Sequence, residues 1–405
     1  MRKTALIFFL ALFLRGALIF IWHQTGHGHH ISDDGTGYYD LAQNLITGNG
    51  FSSYGKATTH RPPLYPFFIA FFMKLQAPFP LGIQMGQAVL GALSCVILFL
   101  LGEQVFDERV GLTASLIQSV DYASVREVVA TMPEILFVFF LLASFYSLER
   151  GAREGRGRWF GAAGIFVGLS LLTRETLLLF IPVIIFWMMR LDRPWKLRLG
   201  GVGVFLVALS LTLAPWIVRN SLVVGKPVLV TTRAGHTFYL ANNPRTTGGR
   251  TGGDWDYLHD TSFPVGDPNL PPFESLEANR YLFSQGWNFI QTQPRSFLRL
   301  MGRKIVNMWR PYQADSPLVA KGATALTYLP VMILGLTGIF LTRKRWRELF
   351  LFHSILLYIF SLHAVLIAII RYRYPAMPIF SLFAAFALVW IWEKRRIRLA
   401  SLAPQ

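Results

Sequence analysis

A single cysteine, Cys95, stands in 405 residues, and it lies inside an apolar run. That excludes an intramolecular disulfide framework and a thiolate metal cluster. Charge is also scarce: Asp, Glu, Lys and Arg make up 15% of the chain, where soluble proteins carry about a quarter. Acids are the scarcest, 22 against 39 Lys plus Arg. No small-residue cleavage site follows the first apolar run, where His23-Gln-Thr-Gly-His27 stands instead, so that run is expected to remain as a membrane helix. Neither an internal repeat nor a low-complexity tract is present, which removes solenoids and argues against repeat-built transporters.

What the chain has is hydrophobicity, 53% of its residues with a mean hydropathy of +0.41, and the expected class is an integral membrane protein. The net charge of +17 does not point to nucleic acid, because the Lys and Arg sit in short clusters between apolar runs. A spanning helix needs about 20 apolar residues. Runs of that kind centre near 4–22, 84–102, 110–126, 133–148, 159–173, 176–190, 199–218, 323–342, 349–370 and 375–392, which gives about ten spans. The basic clusters at Arg2-Lys3, Arg109, 150–158, 190–198, 343–347 and 394–398 all fall on one side if both termini are cytoplasmic.

The leftover apolar run, 64–73, is too short to span and is expected to be an interfacial or re-entrant helix. The opposite, extracytoplasmic side then holds a first loop at 23–83, tight turns near Met132 and Arg174, a long segment at 219–321 and a short loop at 371–375. Three regions follow: 1–218 as an N-terminal transmembrane catalytic module including the first loop, 219–321 as an extracytoplasmic region, and 322–405 as C-terminal transmembrane helices. The long segment should hold structure of its own: a short strand at 227–232, a flexible turn at 248–253 and an amphipathic helix over 272–289.

The first loop carries the adjacent carboxylates Asp33 and Asp34. They suit a general base at a partly dehydrated surface, or an Asx-turn with Gly35; Asp40 reads as surface. In Thr59-His-Arg-Pro-Pro-Leu-Tyr-Pro66 two prolines fix an extended backbone beside the short helix. Arg61 there offers a guanidinium fork to a lipid phosphate, or to anionic headgroups. Glu134 opens a span, where a carboxylate suits both helix capping and catalysis; Asp121 and Glu127 nearby rank lower, since either can pair with Arg126. Arg174, Arg371 and Arg373 place cations on the face where they are normally sparse, for a phosphate-bearing substrate or for pairing with Glu175 or the loop aspartates. Arg15 lies mid-span, a packing or cavity residue with no assigned role. Four of nine histidines fall in 23–30 without the spacing of a preformed metal site.

In order along the chain, Asp34-Gly-Thr-Gly-Tyr38-Tyr-Asp-Leu41-Ala42, Arg61-Pro-Pro-Leu64, Glu134-Ile-Leu-Phe137, Ala214-Pro-Trp-Ile-Val-Arg-Asn220, Ala241-Asn-Asn-Pro244 with Gly248-Gly249, and Arg371-Tyr-Arg-Tyr-Pro375 form a pattern. It resembles the polytopic GT-C glycosyltransferases of the protein O-mannosyltransferase and aminoarabinose (lipid A) transferase type, a glycosyltransferase family 39-like group in its bacterial branch. The resemblance covers nearly the whole chain. It implies an all-α polytopic membrane protein of GT-C fold, with interfacial helices and a large extracytoplasmic loop of mixed structure, in the bacterial cytoplasmic (inner) membrane.

The resemblance makes Asp34 the first-loop catalytic carboxylate with Asp33 as neighbour, while Gly35 stands where the family has a second acid. Glu134 corresponds to the second-loop acid and Arg61 to the basic residue at the lipid phosphate, with Arg371 and Arg373 as candidates beside it; Arg174 joins them as a substrate-phosphate candidate through its place on the same face. Tyr38, His60, Tyr65, Asn242 and Asn243 are the pocket candidates. The implied reaction moves a sugar, with inversion, from a polyprenyl phosphate to a lipid, protein or glycan acceptor. No cofactor or metal is expected to be required; His60 is the residue that would meet a divalent ion. A transporter or flippase of lipid-linked sugars, a glycan ligase or polymerase, and a non-catalytic assembly subunit are the rival readings. Loop-borne ionisable residues and the lack of a repeat argue against the transporter.

Overall fold

The computed structural model describes residues 2–26, 33–247, 271, 275–312 and 316–400, with the backbone alone for Asp33, Asp34 and 398–400. It is all-α apart from one small hairpin. In chain order, α1 (Arg2–Gln24) is followed by α2 (Asp33–Ile46), the antiparallel strands β1 (Ser52–Ser53) and β2 (Lys56–Ala57), and α3 (Leu64–Lys74). Next come α4 (Leu81–Val105), α5 (Glu108–Val120), α6 (Tyr122–Arg126), α7 (Glu134–Glu154), α8 (Gly157–Thr173), α9 (Ile181–Met189) and α10 (Trp195–Val224). Then follow α11 (Ala234–Ala241), α12 (Leu276–Thr292), α13 (Pro294–Trp309), α14 (Leu318–Leu341), α15 (Phe350–Val365) and α16 (Met377–Ala400).

All ten expected spans are helical, and six segments are long and apolar enough to cross a bilayer: α1, α4, α7, α10, α14 and Ile370–Ile397. Their outer faces carry large apolar side chains, among them Phe9, Phe13, Leu211 and Ile333, each more than half exposed, as lipid contact requires. Three of the remaining runs form shorter apolar helices, Gly157–Thr173, Glu175–Met189 and Phe350–Val365. The run near 110–126 is broken at Asp121, whose side chain accepts from the Ser124 amide at 2.9 Å and the Ser124 hydroxyl at 2.6 Å, ending α5 and capping α6.

Small residues set the closest helix pairs. A Cβ at Gly164 would lie 2.3 Å from the Phe205 carbonyl oxygen, so α8 packs on α10 backbone to backbone. Gly338 does the same for α14 against α16, where a Cβ would meet the Phe383 carbonyl oxygen at 2.0 Å. The main core runs through α4, α7, α8, α9, α10, α15 and α16 around Phe145, Phe180, Phe205, Phe352 and Phe383.

The short helix expected at 64–73 is α3, and it packs its Tyr65 ring edge-on against Tyr38 of α2, centroids 5.2 Å apart. The strand expected at 227–232 is absent: the segment is irregular. Pro227 removes a donor, and side chains of α10 take the carbonyl that a partner strand would use, Trp216 Nε1 and Asn220 Nδ2 both donating to Val230 at 3.1 and 2.8 Å. The helix expected over 272–289 begins later, at Leu276, where the Ser275 hydroxyl accepts from the Ala278 amide at 3.0 Å. The turn expected at 248–253 lies outside the described residues.

Two distant loops are stitched together above the bundle. The Thr59 carbonyl accepts from the Thr232 amide at 3.1 Å, and the two hydroxyls meet at 3.0 Å. Arg219 of α10 donates to the carbonyls of Phe51, at 2.8 Å, and Thr58. Below them, Tyr65 donates to Gln87 at 2.8 Å, and Gln87 donates to the carbonyls of Val128 and Ala130. This chain of bonds fixes the turn from which α7 starts.

Candidate active site

At the end of the bundle marked by the N-terminus of α7 lies a cavity that gathers residues from seven parts of the chain. Tyr38 of α2, His60 and Arg61, Glu134, Arg174, Arg233, Lys304 of α13, His363 and Arg371 all line it. Five cations (Arg61, Arg174, Arg233, Lys304, Arg371) face two acids (Glu134, Glu175) in the lining. Such an excess of positive charge suits an anionic substrate group.

Arg61 is held against α2. Its guanidinium lies 4.3 Å from the centre of the Tyr38 ring, and a Cβ at Gly37 would approach Arg61 Nη2 to 2.9 Å. Glycine at 37 therefore makes the seat for this arginine. Pro62 also lines the cavity, in line with a rigid, extended entry to α3.

Glu134, buried at 1% exposure, ties two arginines together. Its Oε1 pairs with Arg174 and with Arg371 Nε, the latter at 2.9 Å. Both guanidiniums also lie over the Tyr372 ring, at 4.8 and 5.5 Å. The expected pairing of Arg174 with Glu175 is not what forms: Glu175 accepts from the Thr231 hydroxyl instead. Glu127, seven residues before the start of α7, is buried beside this cluster. Burial first, and then the Glu134 charge, push its carboxyl up to about 7. Its contact with Arg126 is loose, 4.0 Å.

Three lining residues, and one behind them, escaped sequence reasoning. Lys304 Nζ donates to Asn242 Oδ1 at 3.2 Å and to the Val365 carbonyl at 2.9 Å. A signal for it existed, because Leu300, Lys304 and Met308 recur every four residues on the buried stripe of α13, where a lysine has no reason to be unless it meets polar groups. Arg233 and His363 also line the cavity. His236 sits behind them, its ring centre 5.5 Å from that of His60. Burial, with the Arg233 charge adding to it, brings the His236 imidazole down to about 3, and His60 is likewise well below its ordinary value, chiefly through burial. These two neutral imidazoles are the residues that could offer ligands to a metal ion. No group of three His, Cys, Asp or Glu gathers among the described residues.

Not every expected residue reaches the cavity. Arg373 is buried elsewhere, spent on the carbonyls of Met308, Arg310 and Pro311 and stacked 3.7 Å from the Tyr328 ring centre; alternate residues of a tight helical turn point apart, so Arg371 enters and Arg373 does not. Asn242 bonds the Phe238 and Val365 carbonyls, and Asn243 closes α11 through the Tyr239 carbonyl and the Arg245 amide. Neither lines the cavity, although Asn242 Oδ1 accepts from Lys304, which does. Tyr65 is occupied by Gln87 one layer below the lining. The backbone of Asp33 and Asp34 forms the first turn of α2, with Asp34 one turn ahead of Tyr38; their side chains lie outside the described residues.

Solved structures share the fold of the chain. The Archaeoglobus fulgidus oligosaccharyltransferase in its apo form aligns over 99% of this chain and 52% of its own, at 14% identity and a TM-score of 0.59. The chain has the GT-C glycosyltransferase fold. A second structure with that fold, AglB from Archaeoglobus fulgidus in complex with an inhibitory peptide and a dolichol-phosphate, aligns over 99% of this chain and 52% of that one, at 14% identity and a TM-score of 0.57. ArnT from Cupriavidus metallidurans, in the apo state, aligns over 92% and 59%, at 14% identity and a TM-score of 0.55. The chain thus spans between about half and three fifths of the length of these GT-C structures. A family model described as dolichyl-phosphate-mannose-protein mannosyltransferase matches residues 60–218. It begins at His60 and includes Arg61, Glu134 and Arg174, while leaving out α2. No curated protein matches the chain.

Proposed function

We propose that the protein is a membrane glycosyltransferase that moves one sugar from a polyprenyl phosphate to an acceptor hydroxyl or amine, with inversion at the anomeric carbon. The observation that carries this reading is the cationic cavity itself, in which Arg61, Arg174, Arg371 and Lys304 converge beside the helix that bears Asp34. The AglB neighbour is a complex with a dolichol-phosphate and a peptide, which supports a lipid-phosphate donor and an acceptor entering from water.

Asp34 takes the acceptor proton as the acceptor oxygen or nitrogen attacks the anomeric carbon, while the bond from that carbon to the phosphate oxygen breaks. The leaving phosphate gains charge, and guanidiniums already fixed in place stabilise it without reorganising. Glu134 serves this step as a positioning residue: its Oε1 pairs with both Arg174 and Arg371 and holds the two cations at the cavity wall. His60 and His236 stay neutral, available to an acceptor hydroxyl or to an ion. The active face is extracytoplasmic and both termini are cytoplasmic, in keeping with the side on which the basic clusters fall.

The test is Asp34→Asn in lipid nanodiscs, with sugar release from a polyprenyl-phosphate donor as the measurement. Loss of a general base lowers turnover by about 10²–10⁴. Wild-type turnover in that variant would sink the assignment. Transport without bond cleavage, measured as donor crossing proteoliposomes intact, would favour a flippase instead.

A further inference from the structure

A second cavity opens at the other end of α7. Glu134 and Glu149 lie fifteen residues apart on that helix, about 22 Å along its axis at 1.5 Å per residue, so this cavity is separate from the candidate active site. Its volume of about 530 Å³ falls within the range of small-molecule sites, about 300–1,000 Å³. It is formed where the C-terminal ends of α4, α7 and α9 meet the turn at 345–350.

The chemistry of its lining is unbalanced in a specific way. Arg345 is satisfied, bonded to Glu348 at 2.9 Å and to the Val105 carbonyl. Arg153, Arg190 and Arg347 are exposed and make no ion pair among the described residues, Arg190 and Arg347 lying over the rings of Phe186 and Trp346; Asp192, also exposed, is the remaining acid of the lining. Beneath them Glu149 Oε1 is buried with no hydrogen-bond partner. Arg153 acts on Glu149 through its charge, without a hydrogen bond between them. Trp346, half exposed, lines the cavity as a residue suited to the headgroup layer, and the buried Trp187 forms part of its apolar wall.

Three exposed guanidiniums without an ion-pair partner around one cavity suit a phosphate. A purely anionic ligand would leave Glu149 unsatisfied and repel it, since a buried acceptor without a donor is costly. A ligand that carries a phosphate and, two carbons away, an ammonium group with N–H donors satisfies both halves. We propose that this cavity seats the phosphoethanolamine headgroup of a membrane phospholipid, phosphate on the arginines and ammonium on Glu149.

The experiment uses the full-length protein, purified and then exposed to phosphatidylethanolamine, phosphatidylcholine or phosphatidylglycerol, with retained lipid read by native mass spectrometry and thermal stability in parallel. Wild type should retain phosphatidylethanolamine over the other two, because phosphatidylcholine lacks the N–H donors and phosphatidylglycerol the cation. Glu149→Gln should abolish that preference while leaving total phospholipid retention in place. Joint replacement of Arg190 and Arg347 by Gln should lower retention of all three; single replacements serve if the double variant fails to fold. Equal retention of the three lipids by wild type, or an unchanged preference in Glu149→Gln, would overturn the proposal. So would soluble phosphoethanolamine displacing the lipid at equal concentration, which would make the site one for a free phosphate ester.

Discussion

Replacing Glu134 with glutamine separates two meanings of a buried acid. In the structure its carboxylate bridges Arg174 and Arg371, whose side chains are 16% and 19% exposed. At 2.9 Å the Arg371 contact alone is worth about 6 kcal/mol of gross attraction at an effective dielectric near 20. Most of that offsets the desolvation of the charges. Gln keeps the acceptor oxygen and removes the charge, leaving two guanidiniums unneutralised. Breaking a buried pair from one side costs about 3–5 kcal/mol, and the surviving hydrogen bond places the variant near the lower figure. With about 2.1 cal/mol/K of unfolding entropy per residue, about 3 kcal/mol over 405 residues is a fall of about 3–4 °C in Tm. Differential scanning fluorimetry in nanodiscs measures it. Turnover should fall as well, because the two cations lose their anchor, yet the acidic limb of the pH profile, which reports the general base, should keep its position. An unchanged Tm together with loss of the acidic limb would refute the reasoning and make Glu134 the base.

Gly37→Ala places a methyl group where Arg61 Nη2 now lies. Since a flexible side-chain end can move, Tm should shift by less than about 1 kcal/mol equivalent while the KM for a polyprenyl-phosphate donor rises about tenfold, the loss of one charge-assisted bond; an unchanged KM would argue that Arg61 does not meet the donor. His236 holds a folded-state value near 3, below that of the unfolded chain near 6.5. Between those limits the unfolded state binds more protons, so stability falls as pH drops from 6.5 toward 3; His236→Asn should flatten that acid slope in thermal melts. Glu127 works in the opposite sense. Its folded value near 7 lies above the ordinary 4.5, so its contribution is present below pH 4.5 and is lost as pH rises through 7; Glu127→Gln should raise Tm at pH 8 and leave it unchanged at pH 4.5.

Composition and spacing determined the class and the helix layout. Apolar runs of span length are a property of consecutive residues, and each of the ten appears as helix, as does the short α3. Side-chain hydrogen bonds, in contrast, act across distance: the 227–232 segment has the composition of a strand, but Trp216 and Asn220 occupy its Val230 carbonyl. The site was legible in part for the same reason. Arg61, Glu134, Arg174 and Arg371 were visible as charges out of place against an apolar background, and they do converge. Nothing local distinguishes Arg371 from Arg373, two residues apart; only the turn of the backbone sends one to the cavity and the other to the carbonyls ending α13. Lys304 and His236 come from the long segment, and the arrival of His236 beside His60 depends on loop-to-loop bonds such as Thr59 with Thr232. The chain by itself decided what must leave water, because burial of apolar surface is roughly additive along a sequence. Which charges meet was decided by tertiary structure, because Coulomb energy depends on distance between residues that the sequence separates by up to several hundred positions.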